Sequence, residues 1–384
     1  MTMGARAWLN PAIVASYPVG AARSLRRRWI GPRRWPGDAR AICAAVIERC
    51  WNGEYLAASG GHFRQFWTRD LGFSAGALVR LGQGERVVAS LAWALETWKA
   101  RRHHITTTVF GGRRPADVYA YGIDSLPLFL WALRLCGAGD LVARHGGWLR
   151  DEVRWFAEVA VDRRTGLART DRDFSGHRDT VRRRGTCHAA VMVALLAREA
   201  RLLDLLPRPL GNGDPSARLV EAYWRGDHFA DAPEGPGVVS GEANVWPFWT
   251  GVVDDVAMLG AALGVLRRAG LDRPLPLRYV ARREAAIEAW PTRLLLPDYQ
   301  GTSVWTSLGA IYLQLEARVD PAAAARDAGA YVVLVEREGT FWEVLDGSGR
   351  PFRGRYGLYH ADEGMLWSAI FLDALEGIAP APSG

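Results

Sequence analysis

Lysine is almost missing from this chain. Of its 48 basic residues 47 are arginine, and only Lys99 is lysine. A formal net charge of +7 built this way reads as base composition as much as a surface selected for polyanions, so no nucleic-acid partner is expected. Cysteine is scarce too. Cys43, Cys50, Cys136 and Cys187 show neither CxxC spacing nor the density of a disulfide framework, which excludes a small cross-linked scaffold and points to buried thiols. No apolar run is long enough to span a bilayer, so no integral membrane segment is expected. HExxH, GxGxxG and the P-loop lysine motif are absent, and apart from the adjacent His103 and His104 the histidines are scattered. No metal and no cofactor is therefore expected. The opening residues place their basic cluster after the apolar stretch, the reverse of a secretory signal, so a cytoplasmic protein is the expectation. Residues 1–36, basic and broken by proline, are read as a loose arm.

What remains is a chain rich in apolar residues. The 384 residues are 49% hydrophobic and 23% charged, enough for a large core. Helical apolar spacing recurs near 39–51, 71–82, 84–101, 123–136, 139–160, 181–205, 215–225, 251–269, 302–317, 321–335 and 362–376. Strand-like pieces are few, at 106–111, 275–281 and 339–346. No linker divides residues 37–384, which are read as a single domain. Tight turns alternate with long loops, the pattern of paired helical hairpins. Six hairpins need twelve helices, so one is uncounted, and the stretch 280–291 is where it is sought.

The long loops hold the polar and aromatic residues: "FRQFWTRD", "YAYGIDSLP", "DFSGHRDTVRRRG", "GEANVWPFWTG", "LPDYQGTSVWTS", "GTFWEVLDGSGRPF" and "YHADEGMLW". In the first of these Asp70 is either a cap for the helix that follows or, with Arg69 and Trp67, part of a sugar subsite. Carboxylates and a planar guanidinium bind vicinal hydroxyls, while aromatic rings stack on the apolar face of a pyranose. Trp67, Trp246, Trp249, Trp305, Trp342 and Trp367 all fall in such loops, which favours carbohydrate over a purely structural reading.

Taken in order, "FWTRDLGFSAGALVRLG", "GHRDTVRRRGTCHAAVMVALL", "ANVWPFWTG", "YQGTSVWTSLGAIYLQL" and the segment from "FWEVLD" to "DEGMLWSAIFLDALEG" resemble the six-hairpin, (α/α)6-barrel glycoside hydrolases. That group includes trehalases, glucoamylases, processing α-glucosidases and the glucosidase part of glycogen-debranching enzymes. The resemblance runs from about residue 50 to 377. It implies an all-α (α/α)6 toroid with a few short β-strands in the mouth loops, and an inverting, exo-acting α-glycosidase, most of all an α-glucosidase. Accessory domains common in such enzymes have no room here, so the sugar, linkage and chain length stay open, as does the oligomeric state.

The resemblance also implies roles. Asp179 in "RDTVRRRG" would be the general acid and Glu343 in "TFWEVLDGSG" the general base, one protonating the leaving oxygen while the other activates water on the opposite face. Trp67, Arg69, Asp70, Tyr121, Asp124, Asn244, Trp246, Trp249, Trp305, Glu363 and Trp367 would bind substrate. Each has a structural alternative. Asp179 could cap a helix starting at Thr180, with Arg178, Arg182 and Arg183 favouring its ionised form, and Asp173 is then the reserve acid. Glu343 could pair with Arg353, leaving Glu363 as base, and Asp124 could be a cap. Two other functions stay open: a non-catalytic glycan-binding barrel, and a sugar epimerase working through paired acid and base groups.

Overall fold

The computed structural model describes residues 11–206, 209–211, 213–234 and 237–378. Its helices are α1 (Pro11–Ile30), α2 (Ala39–Cys50), α3 (Thr68–Arg80), α4 (Gly84–Ala100), α5 (Ser125–Leu135), α6 (Gly139–Ala160), α7 (Cys187–Leu202), α8 (Pro215–Tyr223), α9 (Gly241–Trp249), α10 (Val256–Arg268), α11 (Trp290–Leu295), α12 (Thr306–Ala317), α13 (Pro321–Glu338) and α14 (Ser368–Gly377). Strands are short: β1 (Phe66–Trp67), β2 (Thr108–Phe110), β3 (Arg114–Ala116), β4 (Val304–Trp305) and β5 (Val344–Leu345).

Two kinds of helix build the molecule. In α5 and α7 nearly every residue is buried, whereas α6 buries one stripe, Leu141, His145, Leu149, Val153, Phe156 and Ala160. A helix apolar all round must be enclosed, and a helix with one stripe must lie outside it. The packing follows that rule. Helices α3, α5, α7, α9, α12 and α14 touch in that order, and α14 returns to α3, closing an inner ring. Around it α4, α6, α8, α10 and α13 each pack on the inner helix that precedes them, and α2 closes the outer ring against α13 and α14. The chain is an all-α (α/α)6 toroid. Among the described residues no helix is long and apolar enough to cross a membrane.

Inner-to-outer connections are short, as at 81–83, 136–138 and 318–320, while the outer-to-inner loops are long. The long loops are hydrogen-bonded to one another. Thr68 N–H donates to the Thr107 carbonyl, Ile123 N–H to Ser175, and Thr306 N–H to Glu343, while Val181 bridges to Glu288 and Ser59 to Met365. All of them therefore gather at the end where the inner helices begin. The two small antiparallel sheets stiffen this mouth: β1–β2–β3 pairs Phe66 with Val109, and β4–β5 pairs Trp305 with Val344.

The uncounted helix is α9, which the sequence reading placed in a mouth loop. Pro247 inside it hides the pattern, because proline removes one N–H from the helical ladder. The Ala243 carbonyl, four residues back, accepts instead from the Cys187 thiol at 3.8 Å. The sought region 280–291 contains only the start of short α11, and 275–281 is no strand, forming isolated bridges at Arg278 and Val280. Residues 11–30 of the expected loose arm form α1, held to the barrel by Arg23, which donates to the His62 carbonyl, and by Arg27. The first ten residues of that arm and the last six of the chain lie outside the described residues.

Candidate active site

Arg69 and Asp70 enter the mouth because β1 stops at Trp67 and α3 starts at once, leaving both in its first turn. Trp67, not Asp70, is the N-cap, and Asp70 stands in the first turn of the helix. The buried Arg69 guanidinium donates to both Asp124 oxygens, at 2.5 and 3.3 Å, and to Asp179 at 3.1 Å. Asp124 is the residue before α5, but its carboxylate stays off its own helix. It faces Arg69 on one side and His188 Nε2 on the other, at 3.6 Å. Burial pushes the Asp124 carboxyl up, yet Arg69 and His188 outweigh that and hold it at about 2. Behind it a line of polar side chains continues through His188, Glu242, Arg183 and Asp231.

Replacing Asp124 by alanine is thus expected to leave Arg69 buried beside a single carboxylate, costing about 3–5 kcal/mol of stability. Urea denaturation measures it, and a loss below about 1 kcal/mol would mean that Arg69 relaxes freely.

Asp179 lies in a turn of the loop before α7, since no helix begins at Thr180 and α7 starts only at Cys187, capped by Thr186. The neighbouring arginines turn elsewhere. Arg178 binds Glu284 and the Gln300 carbonyl, and Arg183 binds Asp231 and Glu242. Among the described residues Asp179 is hydrogen-bonded only by Arg69 and the Gln300 amide, the latter at 3.1 Å, and its side chain remains 12% exposed. Burial raises its carboxyl, and the contacts with Arg69 and Gln300 only partly reverse this. Asp173, the reserve acid, is an outer residue paired with Arg184.

Glu343 ends the segment before β5 and makes no pair with Arg353. One carboxylate oxygen accepts from the Tyr299 hydroxyl, the other from the Tyr359 hydroxyl at 2.5 Å and the Asp362 N–H at 2.9 Å. A carboxylate accepts about four hydrogen bonds, so one position is left for a water. Burial raises this carboxyl as well, opposed by His62 and by the two tyrosines. Glu363, the competing base, is tied to Arg27 of α1. Beside it Asp362 is fully buried and receives Arg27, Ser59 and the N–H groups of His62 and Phe63. Gly61 makes this crossing fit, since a Cβ there would collide with the Asp362 carboxylate and the Arg27 guanidinium.

Asp70 differs from its neighbours in having no side chain hydrogen-bonded to it among the described residues, only a backbone N–H. Burial, only partly offset by Arg69, pushes its carboxyl up to about 7. From about pH 4 to 7 the folded chain keeps a proton that the unfolded chain has released. Stability should therefore fall as pH rises through that window. Asp70→Asn is expected to flatten the decline by about 2 kcal/mol, read from urea melts at pH 4.5 and 7.5. Parallel pH profiles for the two proteins would contradict this.

The other residues expected to bind substrate divide. Trp67 is half-buried on the mouth side, edge-on to Phe63 at 5.7 Å, with an indole N–H that has no partner. Tyr121 lies in the loop before α5, between His104 and Phe174. Trp305 donates to the Tyr299 carbonyl at 2.8 Å and so orients the tyrosine that reaches Glu343. Four residues expected to bind substrate make structural contacts. Asn244 pins Phe229 and Ser240 to α9 through backbone bonds, and Trp246 is fully buried under the site among Phe73, His177 and His188. Trp249 sits at the far end of α9 against Trp131. Trp367 donates to Thr306 inside the ring. Missed by the sequence reading were Tyr299, Gln300, Tyr359, His62, Asp362, His188 and Arg27. The first three had one visible signal, their place in polar loops beside the assigned motifs.

By sequence, no family model and no curated protein matches the chain. By structure it is similar to a GH63 mannosylglycerate hydrolase from Thermus thermophilus, with TM-score 0.60, 16% identity, 88% of this chain covered and 100% of that one. A glycosidase in complex with glucose gives TM-score 0.64 and 16% identity over 89% of this chain and 96% of that one. A rhamnosidase from Klebsiella oxytoca gives 0.61 and 14%, covering 89% of this chain and 65% of that one. The fold of this chain is the (α/α)6 barrel that these glycosidases share.

Proposed function

We propose that the chain is an inverting glycoside hydrolase, exo-acting on α-glycosides and most of all on α-glucosides, with Asp179 as general acid and Glu343 as general base. One observation carries the reading. Two buried carboxyl groups from distant parts of the chain are held by adjacent residues of one loop, Gln300 on Asp179 and Tyr299 on Glu343. Burial raises both carboxyls, and it is their hydrogen-bond partners that differ. Asp179 has one cation and one amide and an open edge, and burial raises its carboxyl against the pull of Arg69 and Gln300. Glu343 is surrounded by hydrogen-bond donors, which suit an anion that must draw a proton from water.

In the step proposed, the Asp179 O–H protonates the glycosidic oxygen as the bond to the anomeric carbon breaks. Glu343 takes a proton from a water whose oxygen bonds that carbon from the opposite face. Arg69, already beside Asp179, stabilises the carboxylate that the acid leaves behind. Arg69, Asp70, Asp124 and Trp67 would hold the sugar. The contact between Arg69 and Asp179 also favours the ionised form of the acid, and this single feature supports the second reading, a barrel that binds glycans without cleaving them. An epimerase is less well supported, because His177 is buried against Tyr279, its imidazole pulled down to about 3 by burial, and His188 is engaged behind Asp124.

The test is incubation with trehalose, maltose, isomaltose, glucosylglycerol and α-mannosides. Release of the terminal sugar from at least one is expected. Binding with no release from any would favour the glycan-binding barrel.

A further inference from the structure

Beside the mouth, α11 turns the wrong face to solvent. Trp290, Arg293 and Leu294, spaced i, i+3 and i+4, share one side of the helix, and Trp290 and Leu294 are 65% and 47% exposed while Thr292 is buried. Opposite stands a single 3-10 turn, Arg355–Gly357, that packs on α11. Together with Arg283 and Ala285 they line an open cleft of about 430 Å³. Its three cations are not equivalent. Arg283 is neutralised by both oxygens of Glu288, whereas the side chains of Arg293 and Arg355 make no hydrogen bond or ion pair with any described residue. Two guanidinium groups without partners among the described residues line one open cleft beside an exposed indole, which needs a reason.

We infer that this cleft binds a saccharide bearing an anionic group, its ring against Trp290 and its carboxylate or phosphate between Arg293 and Arg355. The chemistry matches on both counts, planar forks for an anion and an indole for a pyranose face. The volume falls within the range of small-molecule sites. The cleft is also joined to the site by its own walls. Leu294 stands five residues before Tyr299, and Arg355 four before Tyr359, the two tyrosines on Glu343. An occupant there lies on the rim of the mouth, where the part of a substrate beyond the cleaved sugar would extend.

The saccharide half of the inference rests on the glycoside hydrolase reading; the anion half does not. Calorimetric titration of the Glu343→Ala chain with tetragalacturonate and glucose 6-phosphate, against neutral maltotetraose and glucose, separates them. At least one anionic sugar should bind roughly tenfold tighter than its neutral counterpart. Arg293→Ala with Arg355→Ala should remove that preference, and Trp290→Ala should weaken both classes. Carboxylate and phosphate are distinguished by which of the two sugars binds. Being exposed, these side chains can be cut back without disturbing the core. Equal binding of charged and neutral sugars would overturn the inference. So would a preference that survives the double arginine variant, binding of inorganic phosphate as tight as that of the sugar phosphate, or binding of phosphatidylserine vesicles alone. An active wild-type enzyme with no anion preference would sink this inference and spare the hydrolase; an inert chain that keeps the preference would do the reverse.

Discussion

Glu343→Ala is expected to lower kcat by roughly 10³ to 10⁴-fold on every glycoside that the wild-type chain cleaves. The size follows from what is removed, since no other described carboxylate accepts from both Tyr299 and Tyr359. Nothing is then left to take the proton of the attacking water. Sugar binding should survive, because Arg69, Asp70 and Trp67 stand on the β1–α3 junction and are not among the groups hydrogen-bonded to Glu343. The variant also strips an acceptor from two tyrosines and a backbone N–H, which costs about 1–3 kcal/mol for each buried donor left unpaired. Glu343→Gln, which keeps an acceptor oxygen, is therefore the control: it should melt closer to wild type and be just as inactive. If instead Glu343→Gln retained more than a tenth of the activity, the base would have to be another group.

Asp179→Asn should produce a different pattern. With poor leaving groups such as a sugar alcohol, the loss of the acid should lower kcat by roughly 10² to 10⁴-fold. With 2,4-dinitrophenyl glycosides, whose leaving group needs no proton, the loss should be under about tenfold. The base variant has no such escape, so the ratio of the two substrates assigns the roles. Stability should change less than on removing Asp124, because Arg69 keeps its contact with both Asp124 oxygens. Equal losses on both substrates would take the acid role away from Asp179.

Much of the fold is legible in the sequence, and the reason is periodicity. Helix α6 is read at 139–160, its observed bounds, because one clean apolar stripe and a following Gly-containing loop leave no alternative. Helix α9 is not legible, because Pro247 and a run apolar on every face erase the helical signal. The same blind spot misplaced Asn244, Trp246 and Trp249, since residues of an inner helix look like loop aromatics when the helix is unseen. Local motifs bring out Arg69, Asp179 and Glu343, but not what surrounds them. Whether Asp179 is clamped by the arginines after it depends on Glu284, Asp231 and Glu242, residues 52 to 105 positions away, which no local pattern connects. Arg27 is the extreme case. Its partners Asp362 and Glu363 lie more than 300 residues downstream, so a basic opening segment reads as an arm rather than as part of the mouth.

The central claim is that Asp179 and Glu343 cleave an α-glycosidic bond with inversion, and the anomer first released decides it. Proton NMR of the early reaction, recorded before mutarotation, should show the β-anomer of the released sugar appearing first, and no release in the Glu343→Ala chain. The α-anomer appearing first, or hydrolysis that continues at the wild-type rate without Glu343, would contradict the account.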